Sequence, residues 1–454
     1  MPVAAGRVNP RAALDVLGTR LRAARTSTLV QNTLWVTGLS AFERVLGVVQ
    51  TLVISHALGI TEYGVYGLLF GTIGFVASVI GLQMGLTATV FVARYKTVEP
   101  AKAAAVISIV GRFGWIAGLG FVAIAAPLSG FLSVKLVGAP GHTLPVLLGI
   151  FFVATSIMSG VQDGTAQGFE MFGALARLKI VTALVALALV YPAAARFGLA
   201  GAMTAILAGL LIKLFVLRIM VSRKREAAGL PSHGSGVSFV ELVHGFAVPS
   251  MLVSLVAGFV TWYGMFLLSK QSSGFDSVAI VNTGIQWRGP LLLLATSVGT
   301  VAVPTFSRLD AQRDVGATRR LLRNLMLLNF GGSLLVAGVL AAGSGWLLSL
   351  YGPGFAQGRF AFSLIVLSCV PTVTTQPYMQ HLVGASRMWR QFFLQCPHFL
   401  AWLICLVTLV PAYHAAGYAS AMLIASLVLA ISTYVADNID LARAQARGDN
   451  QAVA

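Results

Sequence analysis

Charge is what this chain has least of. Only 10% of its 454 residues are Asp, Glu, Lys or Arg, against about 25% in a soluble globular protein. So few charges cannot cover a chain of this length with an aqueous surface. Acids are scarcest, 14 against 31 Lys and Arg, leaving a net charge of +17. Such a balance raises nucleic acid as a partner, but basic residues also record membrane topology, and their distribution below favours the second. Cysteine is nearly absent. Cys369, Cys396 and Cys405 lie in apolar stretches with no C-x-x-C pair, so they read as small buried hydrophobes and not as a disulfide framework or metal site. His56, His244, His398 and His414 lack ligand spacing, and no GxxxxGK[ST] occurs, which excludes the usual phosphate-loop route to ATP hydrolysis. No metal and no cofactor is expected.

What the chain does have is apolar length, at 57% hydrophobic residues. The runs Tyr63–Ala93, Phe113–Val134, Leu136–Gln162, Leu242–Ser269, Asn324–Gly358 and Gln391–Ala436 contain no charged side chain. About 20 mainly apolar residues cross a bilayer as a helix, whereas membrane barrels alternate apolar and polar residues over ~10-residue segments. The chain therefore reads as an all-α polytopic membrane protein. Apolar runs cut by Gly, Pro and charge predict twelve helices, at 29–56, 63–92, 103–126, 142–163, 175–195, 198–220, 239–269, 277–305, 321–349, 360–384, 390–411 and 417–437.

Alternate loops differ sharply in charge. With both termini cytoplasmic, the inner segments hold 22 Lys and Arg, and the outer loops hold only Lys135, Arg196, Lys270 and Arg359. Basic residues stay on the cytoplasmic side, so both ends are placed inside. Residues 1–28 carry Arg7, Arg11, Arg20, Arg22 and Arg25 over a polar, Ala-rich stretch, which reads as a basic cytoplasmic tail and not as a signal peptide. The segment 221–237 gathers Gly, Pro, Ser and charges and reads as a cytoplasmic linker. It separates an N-lobe of six helices (29–220) from a C-lobe of six (238–440), followed by a cytoplasmic tail (441–454). All loops are short, so function belongs to the helix bundle.

Six helices per half bring both halves into the membrane from the same side, so a repeat between them is expected to be parallel. At an offset of 214 residues, Glu62 matches Asp276, Gly85 matches Gly299, and Ala93-Arg94-Tyr95 meets Ser307-Arg308-Leu309. Two six-helix lobes about a central cleft is the architecture of an alternating-access carrier.

Three blocks carry a family resemblance. Phe42-Glu43-Arg44-Val45-Leu46-Gly47 leads into the turn Ala57-Leu58-Gly59-Ile60-Thr61-Glu62-Tyr63-Gly64-Val65-Tyr66, of the form LG-x-x-x-YG-x-Y. Gly274–Arg308 looks like the start of a second lobe, and Leu350-Tyr351-Gly352-Pro353-Gly354-Phe355 like an LYG-x-x-F turn. In these the chain resembles the polysaccharide transporter family, the lipid-linked oligosaccharide (O-antigen type) flippases of the multidrug/oligosaccharidyl-lipid/polysaccharide (MOP) superfamily. The resemblance implies a MATE-like fold in a bacterial cytoplasmic (inner) membrane. It also implies transport of a polyprenyl-diphosphate-linked glycan, with a glycan polymerase or glycosyltransferases as candidate partners. The competing reading in the same superfamily is a cation-coupled multidrug antiporter, which calls for carboxylates in the cavity. An enzyme is not expected, because neither an outer catalytic loop nor a carboxylate pair is visible.

Five basic residues fall inside predicted spans: Arg44, Arg112, Lys213, Arg218 and Arg288. Lys213 and Arg218 are expected to snorkel to the cytoplasmic surface from the sixth helix. Arg112 lies about a third of the way up the third helix. Arg44 and Arg288 fall near midspan, where facing lipid costs an arginine at least ~2.5–3.5 kcal/mol. A guanidinium suits bidentate binding of phosphate oxygens, so Arg44 and Arg288, with Arg112 as a third candidate, could bind a diphosphate. The structural alternative is a local charge pair with Glu43, the single midspan carboxylate, which is also a candidate for ion coupling. Asp163 and Glu170 most simply offset Arg177 and Lys179. Gln83, Gln286, Trp287 and Gln376 are candidate sugar contacts, although helix–helix bonding is the commoner use of such side chains. Breakers concentrate in the second half, at Pro249, Pro290, Pro304, Pro371 and Pro377.

Overall fold

The computed structural model describes residues 28–138, 140–231, 234–238, 248–311, 315–384 and 387–452. The five arginines expected in the N-terminal tail lie outside them. Among the described residues the chain is helical with no strand. Eight helical stretches are long and apolar enough to cross a bilayer. Three of these contain a non-helical residue, at Gly59, Gly198 and His414, where the chain doubles back. With the 38-residue Gly274–Ala311 helix the passes among the described residues number twelve. They are α1 (28–58), α2 (60–80, resuming as Met84–Tyr95), α3 (Pro100–Ala125), α4 (Thr143–Gly168), α5 (172–197) and α6 (199–227). The second six are α7 (Val248–Ser269), α8 (Gly274–Ala311), α9 (Val315–Ala342), α10 (Arg359–Leu367 and Cys369–Gly384), α11 (388–413) and α12 (415–452).

The twelve expected helices are thus all present among the described residues, in two groups of six; residues 239–247, the expected start of the seventh, lie outside them. Differences are local. The helix of α6 runs on to Ala227, so residues 221–227 of the expected linker are helical, and Arg225 bonds the Pro231 carbonyl at 2.5 Å. Likewise α12 continues to Ala452, through most of the expected C-terminal tail. A short helix, Ser129–Leu136, was not foreseen.

Prolines shape α10. Pro371 lacks the N–H that would bond the carbonyl of Leu367, and the helix breaks at Ser368 between its two segments. Pro377 likewise frees the carbonyl of Val373, which accepts a 3.1 Å bond from Asn329 Nδ2 on α9. A neighbouring side chain thus satisfies the freed group, as a membrane interior requires.

The repeat is visible in the backbone. Gly198, between α5 and α6, has φ 57°, ψ −140°, and His414, between α11 and α12, has φ 49°, ψ −124°. Three residues after each, Gly201 and Gly417 press against the carbonyls of Ala193 and Leu409, eight residues earlier in both. These turns relate the halves at an offset of 216 residues, two more than the α2/α8 landmarks.

Three lysine–carboxylate pairs stitch the first six helices together. Lys213 Nζ meets Asp163 Oδ2 at 2.6 Å with side chains only 14% and 20% exposed. Lys96 meets Glu170 at 2.7 Å, holding that carboxyl below its ordinary range by hydrogen bond and charge. Lys179 reaches Glu43 at 3.6 Å. These correct two expectations. Lys213 does not snorkel, because an acid sits within the lobe at its own depth. Asp163 and Glu170 do not offset Arg177 and Lys179, because helix packing turns them to other partners. Arg218 lies over the Trp115 ring at 5.1 Å.

Replacing Lys213 with Met strands Asp163 in a low-dielectric interior. Breaking such a pair costs on the order of 3 kcal/mol. The melting temperature of the purified protein is expected to fall for Lys213→Met and to recover in the double variant Lys213→Met/Asp163→Leu; an unchanged single variant would count against the pair.

Candidate functional site

The site is built where the two halves meet. One face of α2 is lined by glycines at helical spacing. A β-carbon on Gly64 would overlap the Phe275 carbonyl of α8, one on Gly67 would lie 3.1 Å from Asn282, and one on Gly71 would lie 3.2 Å from Met265 Sδ. Small residues let membrane helices approach closely, and here they seat α2 between α7 and α8. The spacing Gly64, Gly67, Gly71 is readable in the sequence but was not singled out.

The same end of the bundle, which holds few charges, is sealed by aromatic and polar contacts across the halves. Tyr63 packs against Tyr351 (6.3 Å) and Phe355 (5.9 Å). Tyr351 shares a 3.4 Å hydrogen bond with Thr51 and accepts a 3.1 Å bond from Trp287 Nε1. Thr61 donates to Asp276 at 2.6 Å, so the landmark acid of α8 grips the opposite half. Lys270 donates to the carbonyls of Lys135 and Leu136. Deeper, Trp262 Nε1 bonds Thr72 at 3.0 Å and stacks on Phe75 at 5.3 Å. Each ring pair contributes about 0.5–1.5 kcal/mol beyond area burial, each neutral hydrogen bond about 0.5–1.5 kcal/mol, and each bond to a charged group about 1.5–3 kcal/mol.

Below the seal stand the midspan arginines. Arg44 lies 15 residues before Gly59 and Arg288 14 residues into α8, so at 1.5 Å per residue both sit about 22 Å from the sealed end. Arg44 Nη1 lies 3.1 Å from where a β-carbon on Gly289 would be, which brings its guanidinium to the residue beside Arg288. Arg288 Nη2 donates to Thr372 Oγ1 at 3.0 Å, and its Nε is buried without a partner. Among the described residues no carboxylate pairs with either arginine. Glu43, the anticipated neutraliser, is turned to Lys179. Two guanidiniums, one from each half, thus stand at one depth with no carboxylate partner among the described residues.

The other expected residues divide. Gln376 stands one helical turn beyond Thr372 on α10, so it shares the face that receives Arg288. Trp287 belongs to the aromatic seal through Tyr351. Gln286 is half-buried on α8. Arg112 is not brought to the pair. It lies on the exposed stripe of α3 with Ile116 (72%) and Leu119 (57%), opposite the buried stripe Val106, Val110, Gly114 and Gly118. Gln83 sits elsewhere, at the break in α2, where Leu82 and Gln83 take left-handed φ of 46° and 52°. Non-glycine residues hold such conformations at roughly 1–3 kcal/mol each. Among the described residues no group of three His, Cys, Asp or Glu could hold a metal ion.

Comparison with known proteins follows this geometry. The model of the polysaccharide biosynthesis protein family matches residues 29–310. The EPS I polysaccharide export inner membrane protein EpsE of Ralstonia nicotianae is 26% identical over 167 residues, 35% of this chain and 36% of that protein. The matched stretch thus spans little more than a third of that relative. Among solved structures, an inward-facing multidrug resistance MATE family transporter of the MOP superfamily superimposes with TM-score 0.75 at 14% identity, over 89% of this chain and 95% of that one. The outward-facing conformation of such a transporter gives 0.68 at 12%, over 91% and 96%. The lipid II flippase MurJ, inward closed, gives 0.72 at 12%, over 88% and 87%. The fold is that of the MOP superfamily.

A side chain at residue 289 is expected to displace Arg44. Gly289→Val should reduce transport without lowering the yield of folded protein, since the group it meets is the end of a flexible side chain; wild-type transport would show that the approach of Arg44 to α8 is dispensable.

Proposed function

Because the chain belongs to the polysaccharide biosynthesis protein family, we propose that it flips a polyprenyl-diphosphate-linked oligosaccharide from the cytoplasmic to the outer leaflet for surface polysaccharide synthesis. The observation that carries this reading is the convergence of Arg44 and Arg288, without counter-charge, at one depth of the seam between the halves. Guanidinium forks match phosphate oxygens bidentately; Arg288 is half-buried and Arg44 is exposed on α1 with its Nη1 turned to α8, and an arginine at this depth without a carboxylate partner is expensive enough to mark a site of function. We assign the diphosphate to this pair and leave Arg112 outside it. Gln376 and Gln286 serve as candidate sugar contacts from α10 and α8, while Glu43 holds Lys179 and is not used for coupling.

The working cycle is alternating access. The lobes 29–220 and 238–440 rock about the α2–α7–α8 seam, with the prenyl tail left in lipid. The charge-poor end faces outward and both termini face the cytoplasm, which follows from the excess of Lys and Arg in the alternate loops. The closed seal at the charge-poor end supports an inward-facing state, in keeping with the better superposition on the inward-facing transporter. Inverting a two-state equilibrium from 1:99 to 99:1 takes about 5.5 kcal/mol of differential binding. Outward movement of the anionic diphosphate is favoured by an inside-negative potential, at about 2.3 kcal/mol per charge per 100 mV. A cation-coupled drug antiporter fits less well, since cationic cargo needs a free carboxylate in the cleft. A glycan polymerase or glycosyltransferases would act on either side of this step as partners.

Alanine at Arg44 or Arg288 removes a charged hydrogen-bonding group worth about 1.5–3 kcal/mol, so surface glycan is expected to fall about 10- to 100-fold, with lipid-linked sugar accumulating on the cytoplasmic side. Lysine should restore only part of the loss, lacking the bidentate fork. Normal export by a well-expressed double-Ala variant would overturn the clamp. Separately, Thr61→Cys/Asp276→Cys, bridged by a short bifunctional thiol reagent in a background lacking the native cysteines, should stop export by locking the seal; unimpaired export after full cross-linking would contradict a moving gate.

A further inference from the structure

The first lobe contains a cavity of about 350 Å³ at the break in α2, lined by Ser78, Gln83 and Thr89 on one side and Ser156 and Gln167 of α4 on the other. Its volume is at the low end of small-ligand pockets, roughly 300–1,000 Å³, room for a sugar ring or two and not a whole repeat unit. None of its lining residues is charged, so it suits neither a phosphate nor a cation. It is rich in groups that both give and take hydrogen bonds. The amides of Gln83 and Gln167 each carry two donors and an acceptor, and Ser156 adds a hydroxyl. Among the described residues these three side chains make no hydrogen bond within the protein.

The walls between these groups are backbone. Gly81, Gly85, Gly160 and Gly164 line the cavity, and α2 and α4 cross so closely that a β-carbon on Gly164 would overlap the Gly85 carbonyl. Peptide surface bare of side chains lets a flat ring approach closely.

A second, independent observation comes from strain. Leu82 and Gln83 are consecutive non-glycine residues in the left-handed region, and Gln83 does not use its side chain to cap the helix that it starts. A glycine would make this bend at no steric cost. Gln83 instead lines the cavity, and its side chain does not cap the helix. The cavity also borders the seam between the lobes. A β-carbon on Gly258 of α7 would lie 3.5 Å from Ser78 Oγ, so movement of the second lobe alters the cavity's rim.

We propose that this cavity receives an uncharged sugar residue of the transported lipid, with Gln83 and Gln167 as the specificity-determining side chains. The assignment rests on the flippase reading above and extends it. The arginines take the charge common to all such lipids, and the glycine-walled cavity reads the sugar. Binding of the sugar at the α2 break ties cargo recognition to the helix that also forms the seal.

The test uses the purified full-length protein and two ligands, bare polyprenyl diphosphate and the lipid-linked glycan fraction extracted from cells lacking this protein. Wild type is expected to bind the glycan-bearing lipid about tenfold more tightly than the bare one. Gln83→Gly and Gln167→Ala should each lose about five- to tenfold for the glycan-bearing lipid, with affinity for bare polyprenyl diphosphate unchanged. Gln83→Gly should melt at or above the wild-type temperature, because glycine relieves the strained φ; a purely structural glutamine would predict the reverse. Equal wild-type affinity for both lipids, or wild-type affinity of both variants for the glycan-bearing one, would overturn the cavity assignment and leave the diphosphate clamp standing. Failure of wild type to bind either lipid would remove the flippase reading and the cavity with it.

Discussion

The close approach of α2 to α7 and α8 is the constraint from which the rest of the structure follows. Gly64, Gly67 and Gly71 carry no side chain on the face where the halves meet, so the backbone of α2 comes near enough for Thr61 to bond Asp276 and for Trp262 to reach Thr72. Packing of this kind has no hydrophobic driving force behind it in a bilayer, because lipid is as apolar as the side chains it would replace. Shape and a few hydrogen bonds hold it. Such a seam is easier to part than one of interlocked large side chains would be. Gly289 plays the same part on α8, where a bare backbone admits the end of Arg44.

Charge is distributed by a single logic. Three lysines of the first lobe are paired between helices: Lys213 with Asp163, Lys96 with Glu170, Lys179 with Glu43. Among the described residues Arg44 and Arg288 have no carboxylate partner. Positive charge is thus left uncompensated beside the lobe seam. Thr372 orients Arg288 through one nitrogen while Nε keeps its hydrogen-bonding capacity unused.

Helix positions were largely legible because span length and charge punctuation are fixed by the bilayer, not by tertiary contacts. The turns at Gly59 and Gly198 and the ends of α4 and α5 fell within a few residues of expectation for that reason. The midspan arginines were legible on the same grounds, since cost alone singles them out. Partners were not. Lys213 and Asp163 lie fifty residues apart, and nothing local distinguishes a lysine that snorkels from one that turns inward. Arg112 stood as a third candidate because depth along a helix is readable in sequence and rotation about its axis is not; the buried stripe from Val106 to Gly118 lies on the other face of α3. Gln83 was noted as a polar residue within a span. The left-handed break that gives it meaning has no glycine or proline at residues 82 and 83 to announce it.

His414 bends the backbone much as Gly198 does in the other half, though it carries an imidazole that disfavours that bend. The two turns share almost nothing in side chain and nearly everything in dihedral angle, down to the glycine that follows three residues later. The likeness of these corners is carried by the main chain and not by the side chains. Matching letters between the halves gives three scattered landmarks; matching torsions at these corners gives the hairpin. Kinship among proteins that must bend at fixed depths in a membrane is then better traced through the shapes of their corners than through the chemistry that decorates them.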